Sequence, residues 1–207
     1  MNKNLTELVF LLDRSGSMTG LEADIIGGFN SFIQRQCSLG KTNLTTILFD
    51  SKYEILHNGV DAGTVTLTEK DFFTRSTTAL LDAIGRAILD VNFRLSQLDK
   101  ENYPGKVIFI ITTNDQENYS TEYTYEKIKH LIDRQKELYN WKFIFTGTNM
   151  DLIKESQKLG IHPSMSFIFQ ASSKGIKQMY QKIDHIVSEL RLDQFRSDKD
   201  DLSMHNL

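Results

Sequence analysis

The stretch that most constrains this chain is Leu8-Val9-Phe10-Leu11-Leu12-Asp13-Arg14-Ser15-Gly16-Ser17. A continuous apolar run reads as a strand buried on both faces, because one face of a half-exposed strand would carry polar residues. The run stops abruptly at Asp13, and hydroxyls follow at alternating positions. Gly16 suits the tight turn such a segment needs. Asp13, Ser15 and Ser17 can thus bring three oxygens into one small volume at a strand end, the donor type that Mg²⁺ and other hard cations accept. The same serines could instead form turns and cap the next helix.

Strand and helix patterns alternate along the rest of the chain. Leu21 to Cys37 spaces apolar residues along one helical face. Thr45 to Phe49 and Tyr53 to His57 read as a hairpin around Asp50-Ser51-Lys52. A short strand is expected at Val65 to Leu67. A long helix is expected from Thr78 to Leu98, with Thr77 or Thr78 as its cap. Lys106 to Ile111 is the most apolar strand pattern, placed at the sheet centre. Helices follow at Thr121 to Leu138, Asp151 to Leu159 (closed by Gly160) and Gly175 to Leu190, with strands at Trp141 to Phe145 and Ser166 to Phe169. Such alternation predicts an α/β domain with a mostly parallel central sheet and helices on both faces. The 207 residues, 40% of them hydrophobic, suffice for one substantial core. The expected division is one domain over 1–191 and a polar, mobile tail over 192–207.

A net charge of −3 gives no bulk basic character for nucleic acid. No segment has the length of a membrane span. The N-terminus lacks a secretory apolar region, and Cys37 is the single cysteine. Together these place the protein in the cytoplasm. Gly27-Gly28 lies in a helical pattern and reads as a close-packing position. The five histidines are scattered without zinc-ligand spacing. Neither a phosphate-binding glycine loop nor a nucleophile elbow is present.

In a doubly wound sheet, ligands bind beyond the carboxyl ends of the strands. Three oxygen-rich segments lie at such places: Asp13 to Ser17, Arg75-Ser76-Thr77-Thr78, and Thr112 to Asn118. In that combination the chain resembles the von Willebrand factor A (VWA) family. Asp13-Arg14-Ser15-Gly16-Ser17 matches the D-x-S-x-S of that family's metal-ion-dependent adhesion site, and Thr78-Ala79-Leu80-Leu81-Asp82-Ala83 is similar to its T-x-L-x-D-A segment. The resemblance spans about Thr6 to Leu190 and implies a Rossmann-like, doubly wound fold. It also implies that Ser15, Ser17 and Thr78 touch Mg²⁺ or Mn²⁺, that Asp13 and the Asn114 or Asp115 position act directly or through water, and that one coordination position stays open.

Thr113-Asn114-Asp115 departs from the family's T-D-G. Asn114 takes the aspartate position, and the lost anion weakens the ion's attraction by roughly 1–4 kcal/mol. Asp115 could compensate only through a twist, since neighbouring strand residues face opposite ways. The expected function is a non-enzymatic module that binds a protein presenting Asp or Glu, the partner carboxylate completing a weakly held ion. The alternatives are a metal-independent VWA-like scaffold and, behind it, Mg²⁺-dependent phosphoryl transfer through Asp13. Tyr119, Tyr123 and Tyr125 are candidates for a recognition rim, and Arg14 and Arg75 for steering an acidic partner.

Overall fold

A computed structural model describes residues 1–74 and 77–204; of Ser17 and residues 193–204 it describes the backbone alone. The elements, in order, are β1 (Asn2–Asp13), α1 (Glu22–Leu39), β2 (Thr42–Phe49), β3 (Tyr53–Asp61), α2 (Leu80–Ser96), β4 (Pro104–Thr112), α3 (Tyr125–Tyr139), β5 (Lys142–Gly147), α4 (Met150–Lys158), β6 (Ser166–Ile168) and α5 (Ser173–Met204). The six strands form one sheet in the order β3-β2-β1-β4-β5-β6. Only the β2–β3 hairpin is antiparallel; β2, β1, β4, β5 and β6 pair in parallel.

The apolar run of β1 is explained by its place in the middle of the sheet. Leu8, Phe10 and Leu12 enter the core under α1 and α5, with Phe29, Phe32 and Tyr180. Val9 and Leu11 enter the opposite core, with Ile84, Ile88, Phe109 and Trp141. A strand covered on both faces cannot alternate apolar with polar residues. β4 follows the same rule beside it.

From β1 the chain winds outward to β2, whereas from β4 it winds the other way to β5 and β6. The topological switch point, where such folds open a crevice, therefore lies between the carboxyl ends of β1 and β4. Those ends are Asp13 and Thr112.

Several sequence expectations shift. Val65 to Leu67 is not a strand: a 3₁₀ turn, Ala62–Thr64, precedes it, and Leu67 instead exchanges backbone hydrogen bonds with the Asn30 side chain. α3 starts at Tyr125 rather than Thr121, because Thr124 caps it by accepting the Lys127 N–H. α2 starts at Leu80, two residues after Thr78. α5 continues past Leu190 to Met204, into the stretch assigned to a tail; residues 205–207, with His205, lie outside the described residues. Cys37 is partly buried on α1 and packs against the core, and burial pushes its thiol up, as suits a packing residue.

The adjacent glycines of α1 have opposite surroundings. A Cβ at Gly28 would come within 2.2 Å of the Tyr180 ring, whereas one at Gly27 meets nothing within 4 Å. Tyr180 is 4% exposed and set among Phe10 and Phe32. Gly27→Ala is expected to stabilise the protein by about 1 kcal/mol through helix propensity. Gly28→Ala is expected to destabilise it by about 1–3 kcal/mol through overpacking. Urea unfolding of both variants checks the opposite signs.

Candidate metal centre

Asp13 ends β1 and is 2% exposed. Its Oδ1 accepts the Ser15 N–H at 2.7 Å, and its Oδ2 accepts the Thr113 hydroxyl at 2.7 Å and the Asn114 N–H at 3.3 Å. Burial pushes the Asp13 carboxyl above the usual carboxylate range, against the pull of these hydrogen bonds. A bound cation would oppose that shift.

Pairing of Leu12 with Thr112 puts Thr113 next to Asp13. Thr113 is fully buried, and its hydroxyl also reaches the Asp115 carbonyl at 3.0 Å. It is the residue of this edge that sequence reading passed over. The usable signal was register, counted from the two apolar runs. Asn114 meets Asp13 through its backbone N–H, and its carbonyl accepts the Thr148 hydroxyl. β4 has ended by then, so strict alternation does not govern the directions of Asn114 and Asp115.

The Thr78 segment is tied to the same edge. Thr78 N–H donates to Asn118 Oδ1 and Asn118 N–H donates to the Thr78 carbonyl, each at 3.2 Å. Ala79 N–H donates to the Asp50 carbonyl at 2.8 Å, and Arg14 N–H to the Phe49 carbonyl at 3.0 Å. The ends of β1, β2 and β4 and the start of α2 are thereby joined in a ring. Thr78 does not cap α2, whose N-cap residue is Ala79. The orphan N–H groups of that helix go to the loop after β4: Leu81 N–H to Glu117 Oε2 at 2.8 Å and Asp82 N–H to the Ser120 hydroxyl at 3.0 Å. Asp82 returns the contact, accepting the N–H groups of Thr121, Glu122 and Tyr123.

The Thr78 hydroxyl is left over. Thr78 is 0% exposed, and its Oγ1 has no hydrogen-bond partner among the described residues. A buried hydroxyl without a partner costs roughly 1–3 kcal/mol, a cost that a ligand using it would remove. Ser17 lies in the 3₁₀ turn Gly16–Met18 that follows Ser15. No group of three or more His, Cys, Asp or Glu suited to a metal occurs among the described residues. Among the described residues, the Thr113 hydroxyl donates to the Asp13 carboxylate and the Thr78 hydroxyl stands unpartnered.

Arg14 does not face solvent as expected. Its guanidinium is fully buried, pairs with the buried Asp50 at 2.7 Å and with Glu54 at 2.8 Å, and lies 5.7 Å from the centre of the Phe73 ring. Its cation serves the β2–β3 turn and is not offered to a partner. Arg75 lies outside the described residues. Of the three tyrosines, Tyr119 is 54% exposed, whereas Tyr123 and Tyr125 pack against the core under α2 and α3.

No protein-family model and no curated protein matches the sequence. Solved structures do match in fold. Proximal thread matrix protein 1 from the mussel byssus is 13% identical with a TM-score of 0.62, the match covering 90% of this chain and 47% of that one. The PilB minor pilin from Streptococcus sanguinis is 10% identical with a TM-score of 0.61, covering 91% of this chain and 61% of that one. The manganese-loaded Plasmodium vivax TRAP protein is 18% identical with a TM-score of 0.59, covering 83% of this chain and 70% of that one. This chain thus spans about half of the mussel protein and under two thirds of the pilin. The fold is a VWA-like, Rossmann-like α/β sandwich, as its motifs led one to expect. No described helix is long and apolar enough to cross a membrane.

Proposed function

We propose that this chain is a non-enzymatic protein-binding module in which an Mg²⁺-type ion is completed by a partner's Asp or Glu. The observation that carries this reading is the buried, unpartnered hydroxyl of Thr78 beside the switch point. Ser15, Ser17 and Thr78 would hold the ion directly. Asp13 would act directly or through water, as would Asn114 or Asp115, with Thr113 holding Asp13 in place. The ion supplies an open position for an external oxygen. The manganese-loaded and pilin proteins of like fold support a metal-using, non-enzymatic reading. Asp13 as a phosphoryl-accepting nucleophile is disfavoured, since it is 2% exposed and both its oxygens accept hydrogen bonds. With one cysteine in the chain, a reducing, cytoplasmic setting fits this reading.

A second reading, a metal-independent scaffold, draws on the donor set. Asn114 stands where the family's motif has a second carboxylate, leaving Asp13 to balance the ion. The two readings separate on Thr78→Val. Thermal unfolding of the native chain is expected to shift upward with Mg²⁺, by about 2.7 kcal/mol at a hundred times the dissociation constant. In Thr78→Val that response disappears, while metal-free stability stays level or rises, because an orphaned hydroxyl is exchanged for a methyl group of similar shape. A native chain indifferent to both Mg²⁺ and Mn²⁺ sinks the metal reading and leaves the scaffold.

A further inference from the structure

The β2–β3 turn builds a second feature next to Thr78. Because the Asp50 carbonyl accepts the Ala79 N–H at 2.8 Å, Ser51 and Lys52 lean over the start of α2. Between them and the loop after β4 is a pocket of about 100 Å³, whose lining includes Lys52, Tyr53, Asp82, Arg86, Tyr119 and Thr121. That volume suits one short side chain and is well below the several hundred Å³ of a cofactor site.

Two cations, Lys52 and Arg86, and one carboxylate, Asp82, line this pocket. Asp82 is committed to three backbone N–H groups. Arg86 is paired with Glu122 and lies 5.9 Å from the centre of the Tyr53 ring. Tyr53 donates its hydroxyl to Asp90 at 2.9 Å. Lys52 is exposed and carries no ion pair among the described residues. Its ammonium is thus the lining cation that remains available. Tyr119, half exposed, adds a flat wall with a hydroxyl at its tip, the kind of residue that anchors interfaces.

We propose that this pocket is a second carboxylate subsite: Lys52 and Tyr119 take an acidic side chain from the same partner segment whose Asp or Glu completes the ion. The inference rests on the metal-binding reading above and adds a preferred partner, a segment with two acidic residues at a fixed spacing.

The test uses capped peptides Asp-Glyₙ-Glu and Asp-Glyₙ-Gln with zero to three glycines, titrated by NMR into the full chain with excess Mg²⁺. At one spacing the Glu peptide is expected to bind about tenfold tighter than its Gln partner, an ordinary gain for a favourable charge pair. Lys52→Gln should erase that preference and leave the Gln peptide's affinity within about twofold, since Lys52 makes no ion pair in the fold to lose. Equal affinities at every spacing, or a preference that survives Lys52→Gln, overturn the subsite. If binding of every peptide is indifferent to EDTA, the metal reading falls instead. The subsite then stands or falls on whether the Glu preference still depends on Lys52.

Discussion

Arg14→Ala is expected to lower the unfolding free energy by about 3–5 kcal/mol, the usual cost of breaking a buried ion pair by removing one partner. The arginine and Asp50 are both out of solvent and 2.7 Å apart. The pair to Glu54, whose side chain is 52% exposed, adds little to that figure. The damage falls on Asp50, a buried carboxyl that would lose the guanidinium 2.7 Å away. It also anchors the turn, accepting the Lys52 N–H through its side chain and the Ala79 N–H through its carbonyl. Asp50→Asn on the Arg14→Ala background should therefore recover part of the loss. Urea denaturation of the two single variants and the double gives the coupling energy. Purely additive effects would show that the pair does not hold the β2–β3 turn, and a loss under about 1 kcal/mol would place Arg14 with surface charges.

Arg94→Ala is expected to cost about 3 kcal/mol near neutral pH, and less as the pH falls. Glu7 is fully buried on β1; its Oε1 accepts hydrogen bonds from Arg94 and Thr45, and its Oε2 has no hydrogen-bond partner among the described residues. Burial raises the Glu7 carboxyl above its ordinary range even with Arg94 beside it. The folded protein therefore holds this proton to higher pH than the unfolded chain does. Its contribution is neutral below the unfolded value and becomes a growing penalty as pH rises through the folded one. Without Arg94 the folded value climbs further, and the penalty at neutral pH deepens. Denaturation at several pH values between 5 and 8 should show a steeper loss of stability in Arg94→Ala than in the native chain. Glu7→Gln should flatten both profiles. Parallel profiles would mean that Arg94 does not set the ionisation of Glu7.

Much of the fold could be read from β1 alone. Leu8 to Leu12 is apolar at every position because the strand is covered on both faces, and helical spacing marked α1, α2 and α5 because each shows one face to the sheet. The hairpin at Asp50-Ser51-Lys52 was legible for the same local reason. The errors have a different origin. Leu67 looked like a strand residue, yet its backbone groups go to Asn30 on α1. Arg14 looked like a charge offered to an acidic partner, yet Asp50, 36 residues away, draws it inside.

The Thr78 segment shows the division most sharply. The sequence by itself determined that a threonine would stand before α2, beside two further oxygen-rich segments at strand ends in a parallel sheet. Only the tertiary structure decided that this threonine would not cap the helix. Glu117 and Ser120, brought from across the sheet edge, satisfy the N–H groups of Leu81 and Asp82. Local periodicity follows from which face of an element meets the core, so it is written along the chain. The partner of a hydrogen-bonding group is settled by distance in space, and here that partner lies 36 to 38 residues away.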